Sequence, residues 1–411
     1  MKLSRLAALA AALFAVSCAS APAEAPQADV QRAPLIVVLI DGLRADYLDR
    51  NITPNINALA ANGVRAPMRP STPSVSAPNH YTLMTGLYPD HHGMVDNTFF
   101  DAQLGGYGFD DSSFTVSGFW EGATPLWVSA ERQGVRVGSA MWGGPSVPIH
   151  GVTASRIMPY AERTPNPARV EQILQWFHAQ PEEQPGLYLL YFGSVDTAGH
   201  AFGPNSPQVN GAIAEVDAAI GQLVGGLQAA DRFPGVNIVL VADHGMTEIA
   251  RSRLIRLADM IDVSKVQETS YGATLGINPR PGHEAEVART FLRPHEHMQC
   301  WRKNEIPAQY HYGTNARVPA IFCIMESGWT ISTPISERAY ANVELRGNHG
   351  FDPAHPEMAA LFVASGPAFR DGVTLPAFDN THVYPMLAHV LGVTPEQVDG
   401  RLEVLRPALE Q

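Results

Sequence analysis

Four short apolar runs, rich in β-branched residues, constrain the fold more than any other feature of this sequence. They are Leu35–Ile40, Leu187–Phe192, Val236–Ala242 and Met358–Ala364. Runs of this length and composition are typical of parallel strands that are buried on both faces. Segments with helical spacing lie at residues 55–62, 123–133, 169–180, 211–229 and 385–392, and Thr394-Pro395 predicts the start of another helix. This alternation predicts an α/β fold, a mostly parallel sheet covered by helices on both faces.

The N-terminal residues have the pattern of an export signal. Lys2 and Arg5 precede an apolar run that is followed by small residues as far as Ala21, which predicts a signal peptide over residues 1–21. Cys18 leaves two interpretations open: a lipoprotein signal that ends before Cys18, with a lipid anchor there, or ordinary cleavage after Ala21. No other apolar stretch is long enough to span a bilayer. We therefore expect a periplasmic or secreted protein, free or held to a membrane by lipid.

The rest of the chain is expected to form a linker and a catalytic domain. Residues 22–33 are rich in Ala, Pro, Glu and Gln and indicate a flexible linker, which leaves residues 34–411 as the catalytic domain. Residues 251–346 interrupt the strand–helix alternation and predict a smaller α+β insertion. Within them, Cys300 and Cys323 form an even pair that favours a disulfide in an oxidising compartment, with two separate buried thiols as the alternative.

The charge balance restricts the possible partners. The sequence has 28 Lys and Arg residues against 40 Asp and Glu residues, which gives a formal net charge of -12. A groove for polymeric nucleic acid needs many basic side chains to neutralise the backbone phosphates, so we expect no such partner. A small anionic substrate remains compatible with this charge if metal ions supply positive charge locally.

Acidic and histidine side chains follow three of the apolar runs. Asp41 comes directly after the first run, Asp196 shortly after the second, and Asp243-His244 directly after the third. Because the carboxyl ends of parallel strands meet at one edge of a sheet, we expect these side chains in a single crevice. Taken alone, an Asp at a strand end is often a turn former.

Two further histidines extend this set. His200 lies four residues after Asp196, so one helical turn would place both on the same face, where they could bind one metal ion. His349 lies in a glycine-flanked loop, residues 347–350, before the fourth run. A capping Asp with a nearby surface His would explain one pair, but it does not explain the whole set. Oxygen and nitrogen donors of this kind suit zinc, and also manganese.

Ser76 is the candidate nucleophile. It precedes Pro78, a residue typical of the first turn of a helix, and a helical pattern continues to Leu87. A Ser at a helix start lies beside exposed backbone N–H groups that suit phosphate oxygens. A simple N-cap without catalytic role is the alternative for this residue taken alone.

The order of these motifs resembles the nucleotide pyrophosphatase/phosphodiesterase family (type I phosphodiesterases) of the alkaline phosphatase superfamily. The resemblance extends from Leu35 to about Gly392 and includes the Cys300 to Cys323 stretch. The motifs that carry it are residues 40–42 (IDG), 76–79 (SAPN), 85–89 (TGLYP), 92–97 (HGMVDN), 196–200 (DTAGH), 243–245 (DHG) and 347–350 (GNHG). It implies an alkaline-phosphatase-like fold with two Zn²⁺ ions as cofactors.

The resemblance assigns each metal ligand a place. One zinc ion would be held by Asp196, His200 and His349. The other would be held by Asp41, Asp243 and His244 together with Ser76.

The resemblance also assigns the residues that meet the substrate. Ser76, where most of the family has Thr, would be the nucleophile. Asn97 would donate a hydrogen bond to a phosphate oxygen, a role that the residues alone do not indicate. Tyr160 matches a Tyr that stacks on a nucleotide base, and Ala77 replaces the aromatic residue expected on the other side of that base.

These features predict an exported two-zinc phosphodiesterase or nucleotide pyrophosphatase that forms a phosphoseryl intermediate. A sulfatase is disfavoured because no Arg follows Ser76 closely. A phosphomonoesterase needs extra positive charge, and the only cations between Asn97 and residue 160 are Arg132, Arg136 and Arg156. That enzyme and a glycerophosphodiester or lipid head-group phosphodiesterase are the enzymatic alternatives. A non-catalytic metal-binding relative would have no reason to place a hydroxyl and an amide beside the metal ligands.

Overall fold

A nine-stranded sheet forms the centre of the molecule in the computed structural model, which describes residues 33–109, 112–334, 336–337 and 345–410. The predicted signal peptide with Cys18, and the predicted linker up to residue 32, lie outside the described residues. Within the described part, no helix is both long and apolar enough to cross a bilayer.

Strands and helices alternate over much of the chain. The strands are β1 (Leu35–Ile40), β2 (Val64–Arg69), β3 (Thr98–Asp101), β4 (Gly105–Gly108), β5 (Val137–Ala140), β6 (Arg156–Met158), β7 (Leu187–Phe192), β8 (Asn237–Val241), β9 (Thr247–Ala250), β10 (Leu254–Arg256), β11 (Val266–Ser270), β12 (Thr274–Pro279), β13 (Met298–Arg302), β14 (Ile321–Met325), β15 (Thr330–Ser332), β16 (Leu345–Asn348), β17 (Ala360–Ser365), β18 (Val373–Thr374) and β19 (Phe378–Asp379). The α-helices are α1 (Pro54–Ala61), α2 (Ser76–Thr85), α3 (Pro89–His92), α4 (Leu126–Arg132), α5 (Asn166–Phe177), α6 (Ser194–Phe202), α7 (Pro207–Ala229), α8 (Leu257–Met260), α9 (Glu284–Phe291), α10 (Val383–Leu391) and α11 (Leu402–Leu405).

The central sheet has the strand order β18-β2-β17-β8-β1-β7-β5-β6, and β19 also pairs with β2. The strand β1 lies between β7 and β8 and runs parallel to both. All its side chains are buried, and because successive side chains point to opposite faces, both faces of the sheet are covered there. The predicted α/β class, with a mostly parallel sheet flanked by helices, is confirmed.

The fourth apolar run differs from the prediction in direction. Its strand, β17, begins at Ala360 and pairs antiparallel with both β2 and β8. A strand buried on both faces has the same apolar pattern in either direction, so composition does not reveal its orientation. Because of this reversal, β17 begins at the edge where β8 ends, with Phe362 opposite Val241. The loop that leads into β17 therefore approaches the edge where Asp41 and Asp243 lie.

The predicted helices form with ends shifted by a few residues, except the one expected from Thr394-Pro395. Residues 394–400 are not helical. The Gln133 side chain accepts from the Thr394 N–H at 2.8 Å and donates to the Thr394 carbonyl at 3.0 Å. The Glu396 N–H donates to the Tyr384 hydroxyl at 2.9 Å. These tertiary contacts take up the backbone groups that a helix would need, so the local start signal is overridden.

A second, antiparallel sheet lies in the segment predicted as an insertion. Its strand order is β11-β12-β14-β13, and with α9 it surrounds a separate apolar cluster that includes Leu275, Val287 and Phe291. Cys300 on β13 is directly opposite Cys323 on β14, and the two form a disulfide. The chain leaves the central sheet along β9 and returns along β16, which pairs antiparallel with β9. The two ends of this excursion are thereby held side by side.

Candidate metal centre

Two groups of potential metal ligands lie together at the carboxyl edge of the central sheet. The inner cluster comprises Asp41, Asp243 and His244, which follow β1 and β8 and are all buried. In it, His244 Nε2 lies 3.1 Å from Asp243 Oδ2 and 3.5 Å from Asp41 Oδ1. Within each group, one ligand atom of every residue lies within 4.8 Å of the others.

The outer cluster comprises Asp196, His200 and His349. The Nε2 atoms of His200 and His349 are 3.0 Å apart, and they lie 3.5 and 3.6 Å from Asp196 Oδ1. The helix α6 begins directly after β7, so Asp196 occupies its first turn and His200 the next. The structure therefore brings the six Asp and His residues among the seven predicted metal ligands together in two groups of three.

A glycine allows the two clusters to approach each other. Gly42 has a φ of +69°, a conformation that residues with a side chain rarely adopt. Its N–H donates to Asp243 Oδ1 at 3.1 Å. A Cβ atom at position 42 would lie 3.1 Å from the Cα of Asp196. The glycine predicted after β1 is thus needed where the backbone turns between the two clusters.

The returning strand β16 places His349 beside His244. Asn348, the residue before His349, is paired with Thr247, three residues after His244. The two imidazole rings stack with centroids 3.6 Å apart and an interplanar angle of 13°. The segment predicted as an insertion thus separates His244 and His349 widely in sequence, while the pairing of β9 with β16 brings them into contact.

The three imidazoles of the clusters are oriented in the manner typical of metal ligands. In each ring the Nδ1 atom lies within hydrogen-bond distance of a backbone carbonyl, which fixes the tautomer and leaves Nε2 as a lone-pair donor. The pairs are His200 with Gly347 O at 3.1 Å, His244 with Gly245 O at 2.9 Å, and His349 with Ser74 O at 3.1 Å.

The remaining donor atoms also fit a cation. Asp41 Oδ1 and Asp196 Oδ1 are buried and have no hydrogen-bond partner among the described residues. The lone pairs on the Nε2 atoms of His200 and His349 repel each other at 3.0 Å unless something positive lies between them. Carboxylate oxygens and imidazole nitrogens are the donors that zinc accepts in catalytic sites. The residues present therefore fit a divalent metal in each cluster.

The site also perturbs the charges of its members. Burial, reinforced by the Asp243 and Asp196 carboxylates, raises the pKa of the Asp41 carboxyl to about 6. Burial and the neighbouring His244 and His200 rings hold the pKa of His349 well below its ordinary value. A neutral imidazole at His349 is the protonation state that a metal ligand requires.

Ser76 lies in the first turn of α2, with its Oγ atom 3.2 Å from His244 Nε2. The preceding loop is held by Asn79, whose side chain accepts from the Ser71 N–H at 2.7 Å and donates to the Pro73 carbonyl at 2.9 Å. Ser74 Oγ donates to the Phe351 carbonyl at 2.6 Å. The hydroxyl of Ser76 is thus presented to the inner cluster from a helix start that is tied down on both sides.

The Asn97 side chain faces the same helix start. Its Oδ1 accepts from the Ala77 N–H at 2.7 Å. Because the oxygen is engaged by a backbone donor, the amide NH₂ group is directed away from that bond and can donate to another acceptor. Ala77 itself is only 1% exposed, so its methyl group is part of the core.

Tyr160 lies near the site and is 59% exposed. Its ring centroid is 6.2 Å from that of Tyr191, whose hydroxyl donates to Asp41 Oδ2 at 2.8 Å. The ring predicted to stack on a base is therefore close to the inner cluster and accessible to solvent.

Two contributors were missed from the sequence, His80 and Tyr191. His80 Nε2 lies 3.0 Å from Asp243 Oδ2 and 3.4 Å from Asp41 Oδ2. Burial lowers the pKa of His80, but the two carboxylates outweigh it and raise the value to about 9. Its spacing of four from Ser76 on a predicted helix was a usable signal. Tyr191 lies one residue before the end of β7, and apart from this position the sequence gives no signal for its role.

An alkaline-phosphatase-like α/β hydrolase is the class that this sheet and its edge define. Residues 35–352 match the family model described as type I phosphodiesterase / nucleotide pyrophosphatase. The chain belongs to the type I phosphodiesterase / nucleotide pyrophosphatase family, whose members are hydrolases.

Known relatives agree with this membership over most of the chain. Ectonucleotide pyrophosphatase/phosphodiesterase family member 5 of Homo sapiens is 34% identical over 376 residues, which are 91% of this chain and 77% of that protein. Bis(5'-adenosyl)-triphosphatase enpp4 of Xenopus laevis is 32% identical over 375 residues, or 90% and 80% of the two chains. The solved structure of murine ectonucleotide pyrophosphatase/phosphodiesterase 5 superposes with a TM-score of 0.87 at 34% identity and covers 92% of this chain and 100% of that one. An inactive variant of the same murine protein in complex with AMP has the same TM-score and coverage.

Proposed function

We propose that this protein is an exported two-zinc enzyme that hydrolyses phosphodiester or phosphoanhydride bonds of small nucleotides through a phosphoseryl intermediate on Ser76. The observation that carries the proposal is the Ser76 hydroxyl, which lies 3.2 Å from His244 Nε2 at a helix start. A protein that only stored metal would gain nothing from a hydroxyl at this place.

The two clusters would hold one zinc ion each. The inner ion would be bound by Asp41, Asp243 and His244 with Ser76, and the outer one by the other three ligands. When bound, the ions would supply Lewis-acid chemistry, since they lower the pKa of the nucleophile and of water and neutralise charge on the phosphoryl group.

The chain's own residues then account for the two displacements. The Ser76 Oγ atom attacks phosphorus, a Ser76–phosphate bond forms, the bond from phosphorus to the leaving oxygen breaks, and the hydroxyl proton of Ser76 passes to solvent. In the second displacement the oxygen of a water molecule attacks phosphorus and Ser76 departs with its proton restored. The Asn97 amide donates to a non-bridging phosphate oxygen, a kind of contact that contributes about 3 kcal/mol to transition-state stabilisation in other hydrolases.

A nucleotide is the preferred substrate class. The relatives include a bis(5'-adenosyl)-triphosphatase and a structure with bound AMP. In this chain the exposed Tyr160 ring offers one stacking face, and base stacking contributes about 1–3 kcal/mol. Because Ala77 supplies no opposing ring, a glycerophosphodiester or lipid head group is the second candidate. The disulfide between Cys300 and Cys323 supports export to the periplasm or beyond.

The nucleophile is tested with Ser76→Ala in the zinc-loaded protein. We expect turnover of a nitrophenyl nucleotide diester to be lost while the zinc content stays close to that of the wild type. Ser76→Thr is the matched control, because it retains the hydroxyl and should retain substantial activity. Normal turnover by Ser76→Ala would refute the phosphoseryl intermediate.

The substrate class is tested by the ratio of kcat/KM for a nitrophenyl nucleotide diester to that for nitrophenyl phosphate. We expect a ratio well above one, and a KM for the nucleotide that rises in Tyr160→Ala. A ratio below one would identify a monoesterase. A nucleotide KM unaffected by Tyr160→Ala would favour the glycerophosphodiester substrate.

A further inference from the structure

The loop closed by the disulfide, residues 301–322, docks on the segment that carries Asn97. The Asp90 carboxylate accepts hydrogen bonds from three consecutive backbone N–H groups of this loop: those of Gly313 at 3.0 Å, Thr314 at 2.8 Å and Asn315 at 2.9 Å. Burial raises the pKa of the Asp90 carboxyl, but the Thr314 hydroxyl, which donates to Oδ2 at 2.6 Å, and these three N–H groups outweigh burial and hold the pKa below its ordinary value. The loop is therefore held firmly against α3, the helix that directly precedes residues 93–97.

Arg317 in the same loop makes contacts on both sides of Asn97. Its Nη1 donates to the Gly93 carbonyl at 2.8 Å, four residues before Asn97. Its Nε donates to Asp101 Oδ2 at 2.8 Å, four residues after Asn97. The Arg317 side chain is 13% exposed, and Nη1 also donates to the Phe119 carbonyl at 3.0 Å. A guanidinium group with several donors in a fixed plane can hold several acceptors in one arrangement.

A third contact reaches still closer to Asn97. The Tyr312 hydroxyl donates to the Val95 carbonyl at 3.0 Å, and the Tyr312 ring is buried. Residues 93–97 lie between α3 and β3 and belong to neither. Their position therefore depends on such contacts rather than on regular secondary structure.

We infer that Arg317 is a positioning residue for Asn97, and that the disulfide loop serves the phosphate-binding site in this way. The inference rests on the proposed function, in which the Asn97 amide donates to a phosphate oxygen. A displacement of a substrate-contacting group by about 1 Å can lower the rate by about a hundredfold, so a fixed position has a large effect. The insertion would then contribute to catalysis without touching the substrate.

Asp101→Asn is the mildest test, because it changes one partner of Arg317 at a partly exposed position. The Asp101 Oδ1 atom that accepts from Gln103 and Leu104 can be replaced by the amide oxygen of Asn. The new NH₂ group would face the Arg317 Nε–H and break that bond. We expect kcat for the nitrophenyl nucleotide diester to fall about tenfold, with KM and zinc content close to the wild type.

Two further variants show whether a loss of kcat is specific to the contacts of Arg317. Arg317→Lys retains the charge but loses the planar fork, so we expect a similar loss of kcat. Glu286→Gln is the matched control, because it removes an ion pair of the same length, 2.8 Å to Lys265, elsewhere in the insertion. It should leave kcat unchanged.

The deciding measurement repeats Asp101→Asn in an Asn97→Ala background. If Arg317 acts through Asn97, the loss caused by Asp101→Asn disappears there. The inference is overturned if the loss is equal in both backgrounds, or if kcat is unchanged in both Asp101→Asn and Arg317→Lys. Either result leaves the proposed function standing. An Asn97→Ala variant with wild-type kcat instead overturns the role that the proposed function gives to Asn97, and the inference with it.

Discussion

The inner and outer clusters use the same kinds of ligand in different surroundings. Asp243 and His244 are fully buried, and only Ala242 separates them from the central strand β8. In the outer cluster, the His200 side chain is 41% exposed and that of Asp196 is 18% exposed, and both lie on a short helix. The sheet thus buries all three inner residues, whereas two of the three outer residues are reached by water and only His349 is buried. From this difference we expect a division of roles, with Ser76, the proposed nucleophile, held at the inner cluster and water admitted at the outer one.

The most direct test of this division removes one ligand from each cluster. Asp243→Asn should lose the inner zinc and lower the rate by about a thousandfold or more, because the ion stabilises several kcal/mol of transition-state charge. Asp196→Asn should lose the outer zinc but retain the inner one. Zinc content by atomic emission, measured with activity, checks both. Loss of both ions in both variants would show that the clusters are not independent.

Removal of zinc by a chelator is a second test of the difference between the clusters, and its expected effect is smaller. Because two of the three outer residues, His200 and Asp196, are partly exposed and all three inner ones are buried, we expect zinc to leave in two kinetic phases under excess chelator. The slower phase should disappear in Asp243→Asn and the faster one in Asp196→Asn. Zinc release is followed with a chromogenic indicator. A single phase in the wild-type protein would argue that burial does not control the exchange of these ions.

Tyr191→Phe tests the support of the inner cluster. The variant loses the hydroxyl that donates to Asp41 Oδ2, and we expect the inner zinc affinity to fall by about tenfold while the outer affinity is unchanged. Tyr188→Phe, on the same strand, is the control, because its buried hydroxyl has no partner among the described residues. Equal effects of the two variants in a zinc titration would contradict a specific role for Tyr191.

The smallest effect concerns a buried carboxyl that lies outside both clusters. Burial raises the pKa of Asp96 to about 7, although the Asn97 N–H lowers it in part. The folded protein therefore keeps a proton that the unfolded chain loses above its ordinary pKa, and the free energy of unfolding should decrease as pH rises towards 7. Asp96→Asn should remove this decrease.

Denaturant unfolding of wild type and Asp96→Asn at pH 4 and pH 8 checks this expectation. The variant should gain stability relative to the wild type only at the higher pH. An equal difference at both pH values would mean that Asp96 is ionised in the folded protein. A difference confined to pH 8 would instead make Asp96 a reference for the inner cluster, because it would show that burial without a cation favours the neutral carboxyl.

The sequence predicted most of the fold, and the acidic and histidine side chains that gather at the sheet edge, for physical reasons. Buried strands and their acidic ends leave a clear local pattern, so Asp41 and Asp243 could be placed at one edge without a structure. The direction of β17 could not be predicted, because a doubly buried strand has no directional pattern. The helix predicted after Thr394 does not form, because the side chain of Gln133, far away in sequence, binds the backbone of Thr394.

The contacts that support the site residues are harder to predict from the sequence. Tyr191 and Arg317 act through partners more than a hundred residues away, Asp41 and Asp101 respectively. Neither belongs to a local motif, and each has an ordinary alternative role in a core or on a surface. Such contacts depend on how the elements pack, which periodicity and spacing do not describe. The roles of the individual site residues stay predictions until the variants are measured.

The separation of the ligands along the chain has a consequence for biogenesis. Asp41 lies near the start of the sheet, whereas His349 follows the whole insertion and reaches the edge only when β16 pairs with β9. A chain that emerges from its N-terminus therefore cannot complete the outer cluster until more than four-fifths of its length is available. If each cluster holds a metal ion, as proposed, retention of two ions would then report that folding has been completed, and a truncated chain would be recognisable by its failure to retain both.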